Sequence, residues 1–302
     1  MRKFISLLLI LVFSLTITSC TDNEKKGSLD IIDMVGRNVQ VNPGTYERVV
    51  CIGAGALRLY SYVGDLDLLV GVEDIENEAL LTRPKMFDQA PRPYVIANSE
   101  LFQSLPTCGI GGPNNQAPEM EKILSCNPDI IISEYTDVVV ADAIQKAIGV
   151  PVVTLSYGNQ GVFDDRLKQS LIILGLVFNK TERAEELNSF IQKERKAIEK
   201  RVSSVVVEDA PKVYIAGLGN WGTTNHLMTS TYYAPFSVAK INNVLDIDKS
   251  GIFAIDKEKF EAIAPDIDIL ILDAAGIKNI KPLLKENPDL FKNCKAWNNN
   301  QV

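Results

Sequence analysis

From residue 164 to residue 204 the chain runs without a proline and with almost no strand-like alternation, while short β-branched runs crowd on both sides of it. The stretch breaks once, at Asn179-Lys180. Its second piece, from Glu182 to about Val202, sets Ala184, Leu187, Ile191 and Ile198 as an apolar stripe among charges, with Thr181 placed to cap it. At 1.5 Å per residue such a helix is about 32 Å long, the width of a small domain. A helix of that reach between two strand-rich regions predicts two lobes joined by a rigid bridge.

The lobes themselves read as α/β. In the first, β-branched runs at 48–53, 68–72, 129–133 and 151–155 alternate with helical stretches at 56–63, 118–126 and 138–148. That alternation implies mainly parallel sheets. After Pro211, runs at 212–216 and 268–272 supply strands of a second lobe, with a helix over 256–263. The expected division is an amino-terminal lobe over 29–160, a helical connector over 161–205 and a carboxy-terminal lobe over 206–302. Residues 298–302 stop where a further strand is about to begin, so the second lobe is expected to be incomplete at its end.

At the other end, Arg2 and Lys3 precede an apolar run from Phe4 to about Ile17, too short to span a bilayer and suited to a secretory signal. Ile17-Thr18-Ser19-Cys20 resembles a lipobox, which makes residues 1–19 a cleaved signal, Cys20 a lipidation site and 20–28 a polar tether. Acyl chains partition at about 0.8 kcal/mol per methylene, so a multiply acylated Cys20 would hold the protein on a membrane. The net charge of −7 becomes about −9 without the signal, which argues against nucleic acid as a partner. Cys51, Cys108, Cys126 and Cys294 show no CxxC spacing and read as buried thiols, not as a zinc site.

Signs of catalysis are few. Gly217-Leu218-Gly219-Asn220-Trp221-Gly222 fits GxGxxG and follows a strand, but no apolar helical period opens after it, as a dinucleotide site requires. There is no GxSxG elbow, no P-loop, and one histidine to serve as a base. An enzyme on a two-lobed α/β scaffold is therefore the competing class and not the favoured one.

Several segments resemble the periplasmic binding proteins for iron siderophores, haem and vitamin B12, the helical-backbone, TroA-like receptors of ABC importers. Asp33-Met34-Val35-Gly36-Arg37-Asn38-Val39-Gln40-Val41, followed by Glu47-Arg48-Val49-Val50, is similar to their opening hairpin and first strand. The segment from Glu121 through Asn127-Pro128-Asp129 to Ile132 is similar to their glutamate, helix, Pro-Asp, strand unit. A second copy runs from Asp256 to Pro265-Asp266.

The resemblance implies a class III receptor fold, with Glu121 and Glu258 docking into arginines of an ABC permease that works with an ATPase. It also implies a ligand held between the lobes, where open parallel sheets present their carboxyl-end loops. On those loops stand Arg58, Tyr94, Tyr135 and Tyr157 from the first lobe, and Trp221, His226, Tyr232 and Tyr233 from the second. Aromatic groups beside glycines suit a bulky metal complex, and Arg58 suits its acidic groups.

An iron chelate is the first expectation. Haem or cobalamin, with His226 as an axial ligand, is the alternative. No cofactor of its own is expected, direct contact of any side chain with metal is left unassigned, and the protein is expected to act as a lipid-anchored monomer of the cell envelope.

Overall fold

The computed structural model describes residues 27–85, 92–112, 117–158, 161–219 and 225–302. The expected signal, Cys20 and Trp221 lie outside the described residues. The chain opens with an antiparallel hairpin, β1 (Leu29–Ile32) and β2 (Asn38–Val41). Its turn is closed by Arg37, whose side chain is 7 % exposed and donates to Asp33 Oδ2 through Nε (3.0 Å) and Nη2 (2.9 Å). The same guanidinium donates to Asp142 Oδ1 (3.1 Å) and to the Val152 carbonyl, which fastens the hairpin to the sheet and helix behind it.

In the amino-terminal lobe the elements follow as β3 (Val49–Ile52), α1 (Ala56–Val63), β4 (Leu69–Glu73), α2 (Pro93–Ala97), α3 (Ser99–Ser104), β5 (Thr107–Gly109), α4 (Met120–Ser125), β6 (Ile130–Ser133), α5 (Val138–Ile148) and β7 (Val152–Thr154). The five strands β3 to β7 form one parallel sheet in the order β5-β4-β3-β6-β7. β3 and β6 are buried at every residue, as continuous apolar strands must be when helices cover both faces. The chain leaves β3 toward β4 and β5, then crosses back to β6. The gap between the carboxyl ends of β3 and β6 is therefore a topological switch point.

The connector is a helical hairpin, α6 (Asp165–Val177) and α7 (Thr181–Arg201). A β-carbon on Gly175 would stand 2.8 Å from Ala184 Cβ, so the glycine is what lets the two helices approach. The long helix expected from the sequence is present with 21 residues. Thr181 is not its cap, however: it is the first helical residue, and the turn before it is closed by Lys180 N–H donating to the Gly175 carbonyl (2.7 Å). Leu187 and Ile191 pack on the first lobe's core, while Arg195 and Glu199 face the second lobe.

The carboxy-terminal lobe comprises β8 (Lys212–Ala216), β9 (Met228–Thr229), α8 (Ala234–Ala239), β10 (Asn242–Asn243), β11 (Phe253–Ala254), α9 (Lys257–Ile263), β12 (Ile269–Leu272), α10 (Ala274–Glu286) and α11 (Lys295–Asn298). Its sheet is parallel in the order β10-β8-β12, with β9 and β11 as a separate antiparallel pair. At the end of the chain the Gln301 carbonyl accepts Leu270 N–H (3.0 Å), so the last residues lie along β12, where the sequence suggested a further strand.

Candidate functional site

The switch point is built by glycines. Gly53 (φ +86) follows β3, and a β-carbon on it would stand 3.2 Å from the Glu134 carbonyl carbon and the Tyr135 nitrogen. Gly55 (φ +105) precedes α1, and its β-carbon would lie 2.6 Å from the Tyr157 ring. Three loops, after β3, β6 and β7, thus interlock through side chains that are absent. Only glycine meets both the left-handed backbone and the contact at these two positions.

Arg58, in the first turn of α1, is held half-buried with its guanidinium over the Tyr157 ring, 4.7 Å from the centroid. It makes no ion pair among the described residues. Tyr157 N–H donates to Glu134 Oε1 (3.1 Å). Burial pushes the Glu134 carboxyl up to about 8, against the opposing pull of that hydrogen bond and of Arg58. Glu134 thus holds its proton more tightly than an exposed carboxyl does, even with the Arg58 guanidinium nearby. Tyr135 packs on the core behind the sheet, and its hydroxyl is buried without a hydrogen-bond partner among the described residues.

Beneath this wall lies Glu73, the last residue of β4 and 5 % exposed. Its Oε1 accepts Gly53 N–H (2.9 Å), and a β-carbon on Gly111 (φ +69) would come within 2.5 Å of its Cβ and Oε2. Burial pushes this carboxyl up to about 8; the Gly53 hydrogen bond opposes that, and the nearby Glu76, Asp74 and Glu119 add to it. Close by, Glu76 is also raised by burial, while Arg92 (2.7 Å) and the Tyr94 hydroxyl (2.9 Å) pull it down. Tyr94, expected on a loop at the ligand, stands instead in α2 with its hydroxyl turned onto Glu76. Pro93 at the helix start fixes that placement.

The second lobe corrects one expectation. His226 is 8 % exposed and packed inside the lobe, edge-on to Phe260 (5.0 Å) and Phe291 (5.4 Å), with burial and then Lys257 lowering its pKa from the ordinary histidine value. Its apolar surroundings draw it away from any ligand between the lobes. Tyr232 is exposed, lines a cavity between the lobes, and donates to Asp248 Oδ1 (2.7 Å). Tyr233 is half-buried, with its ring edge-on to Phe236 (5.2 Å) at the start of α8.

The lobes approach where the 161–163 turn meets α8, a β-carbon on Gly161 reaching within 3.9 Å of Ala234 Cβ. A cavity of about 730 Å³ opens there, lined by Phe163, Arg195, Glu199, Tyr232, Lys240 and Gly251 among others. Its charged groups are already engaged, Arg195 with Glu199 (2.9 Å) and Lys240 with the Ser203 carbonyl (3.3 Å).

Glu121 and Glu258 are both exposed, each in the first turn of its helix, α4 and α9. No cluster of three or more His, Cys, Asp or Glu suited to a metal ion occurs among the described residues. None of their helices is long and apolar enough to cross a membrane. The residues that sequence reasoning passed over are Glu73, Glu76 and Arg92. The available signal was the run Glu73-Asp74-Ile75-Glu76, charge placed directly after an apolar strand.

A family model described as periplasmic binding protein matches residues 53–302. No curated protein matches the chain. Among solved structures, the Haemophilus influenzae molybdate periplasmic binding protein MolA, bound to molybdate, aligns with a TM-score of 0.68 at 18% identity, covering 91% of this chain and 82% of that one. The siderophore-binding protein BauB, bound to a complex of two acinetobactin molecules and ferric iron, aligns with a TM-score of 0.62 at 16% identity, covering 91% and 88%. The catecholate-siderophore binding protein VctP of Vibrio cholerae gives 0.59 at 18% identity, covering 91% and 90%. At these identities the likeness is one of fold.

Proposed function

The chain belongs to the periplasmic binding protein family, the envelope solute receptors of ABC importers, and from that premise we propose that it captures an iron chelate for delivery to a membrane permease. The observation that carries the ligand class is the wall at the switch point. Arg58, without an ion pair among the described residues, stands on Tyr157 beside Glu134, whose carboxyl burial pushes up to about 8. Such a wall offers the donors and the positive charge of a guanidinium, which suits oxygen-rich anionic groups like those that ring a ferric siderophore. BauB and VctP, which share the fold, bind siderophores.

Haem or cobalamin fits less well, because His226 is sealed between Phe260 and Phe291 and is not presented as an axial ligand. A second reading is a simple oxyanion, as in MolA. It is favoured by the α1 amino terminus, which has neither a side-chain cap nor an acidic residue in its first turn, with the glycine loop before it.

Exposed on separate lobes, Glu121 and Glu258 are free to dock into permease arginines, and Cys20 would hold the receptor at the membrane as a lipid anchor. The deciding test is tryptophan-fluorescence titration of the protein from residue 21 onward against ferric siderophores, molybdate, haem and cobalamin, with Trp221→Phe as a control. Saturable binding of a ferric siderophore, weakened at least tenfold in Arg58→Ala, is the expected result. Binding of molybdate alone would move the assignment to an oxyanion receptor. Binding of haem or cobalamin, or of none of the four, would overturn the iron-chelate reading.

A further inference from the structure

The described cysteines are distributed unevenly in space. Cys294 lies in the core of the carboxy-terminal lobe, and Cys51 of β3 faces the side of the first sheet that α1 and α6 cover. Cys108 of β5 and Cys126 at the end of α4 share one cluster on the opposite face.

These two meet over Gly71 in β4. A β-carbon built on Gly71 would stand 2.6 Å from Cys126 Sγ and 3.3 Å from Cys108 Cβ, so those two atoms are no more than about 6 Å apart. Gly71 does not have the left-handed backbone that would by itself call for glycine. The space that its missing side chain leaves is the space the two cysteines fill.

Neither sulfur is engaged elsewhere by a strong partner: Cys108 Sγ is 4.0 Å from the Cys51 carbonyl and Cys126 Sγ 3.8 Å from the Thr107 carbonyl. Burial pushes both thiols up, and among the smaller influences on Cys108 is its neighbour Cys126.

We propose that Cys108 and Cys126 are a redox pair that closes into a disulfide as the protein folds in the oxidising envelope, the family's compartment. The oxidant is a small-molecule or enzyme-borne disulfide. One cysteine thiolate attacks it, forming a mixed disulfide and releasing one thiol. The second cysteine then displaces the other thiol, so two protein thiols are oxidised and one external disulfide is reduced, with the two protons ending on the released thiols. Closure belongs to folding because the finished core seals both sulfurs, and a thiol pushed up by burial exchanges slowly.

The bridge would staple α4 to β5 and close the segment 109–125 into a loop. That loop holds Gly111 against Glu73, Glu119 accepting Ile110 N–H (2.6 Å), and Glu121 on its exposed face. It would fix the rim beside the switch point whatever ligand binds there.

The test refolds the full chain in a glutathione redox buffer or in excess reductant, alkylates in denaturant, and maps peptides by mass, scoring Cys20 on its own peptide. In the redox buffer the Cys108 and Cys126 peptides should appear joined and 2 Da lighter than their sum, with Cys51 and Cys294 alkylated, and the oxidised protein should melt several degrees higher. Cys108→Ser should leave Cys126 open to alkylation. Its melting in reductant, compared with that of the reduced wild type, shows whether the variant folds. Alkylation of all four core cysteines after oxidative refolding, or a bridge through Cys51 or Cys294, would overturn the proposal.

Discussion

Replacing Glu73 by Gln should make the protein more stable above neutral pH and leave it almost unchanged in acid. In the unfolded chain a glutamate loses its proton near the model value 4.5, whereas burial at the end of β4 pushes the folded-state value to about 8. The folded state thus holds this proton more tightly than the unfolded one. Stability from the group is fully present below about pH 4.5, falls as pH rises toward 8, and levels off above. A separation of that size, at 1.36 kcal/mol per pH unit, corresponds to about 3 to 5 kcal/mol over the window. Glu73 is 5 % exposed, so little of this is screened by solvent.

Glutamine keeps an oxygen to accept Gly53 N–H and cannot ionise. Urea titrations followed by circular dichroism, run from about pH 5 to about pH 9, should give curves for wild type and Glu73→Gln that coincide in acid and diverge by those few kcal/mol in base. Other groups that titrate in the window, Glu134 among them, are common to both proteins and drop out of the difference. Hydrogen exchange at the Gly53 amide reads the same effect locally, slowing in the variant as the pH rises. A difference curve that stays flat from acid to base would refute the reasoning, since it would mean that Glu73 ionises freely in the folded protein.

Three further outcomes follow from the same geometry. Asp33→Asn strips the buried carboxylate from Arg37, leaving the guanidinium only the exposed Asp142 as an ion-pair partner, and should cost about 2 to 4 kcal/mol in urea denaturation; the paired change Asp33→Leu with Arg37→Met should cost less, and a single-mutant loss under about 1 kcal/mol would contradict the hairpin clasp. Gly55→Ala should lower stability by about 1 to 3 kcal/mol and weaken ligand binding in calorimetric titration, because its β-carbon meets Tyr157 and displaces the stacked Arg58. Gly149→Ala, equally left-handed but with open space around it, is the control that should lose stability without losing affinity. Glu121→Arg together with Glu258→Arg should leave ligand affinity intact and abolish uptake in cells; uptake at the normal rate would remove both residues from the docking role.

What the sequence determined by itself is what local pattern can encode. The apolar runs of β3 and β6 fix buried parallel strands, because no alternating exposed face is available to them. The proline-free charged stretch fixes α7 and its length, since helix rise depends only on residue count. The resemblance carried by the repeated glutamate, helix, Pro-Asp unit implied that Glu121 and Glu258 are exposed, and both stand exposed in the first turns of α4 and α9.

Tertiary structure alone decided the chemistry of the site. Gly53 and Glu134 stand 81 positions apart in the chain, yet the absent β-carbon of one makes room for the backbone of the other. Whether Tyr94 faces a ligand or Glu76, whether His226 faces the space between the lobes or the rings of Phe260 and Phe291, and whether Glu73 carries a charge are all set by which distant segments surround them. Desolvation and the choice of hydrogen-bond partner depend on three-dimensional neighbours, and a residue's place in the sequence does not record them.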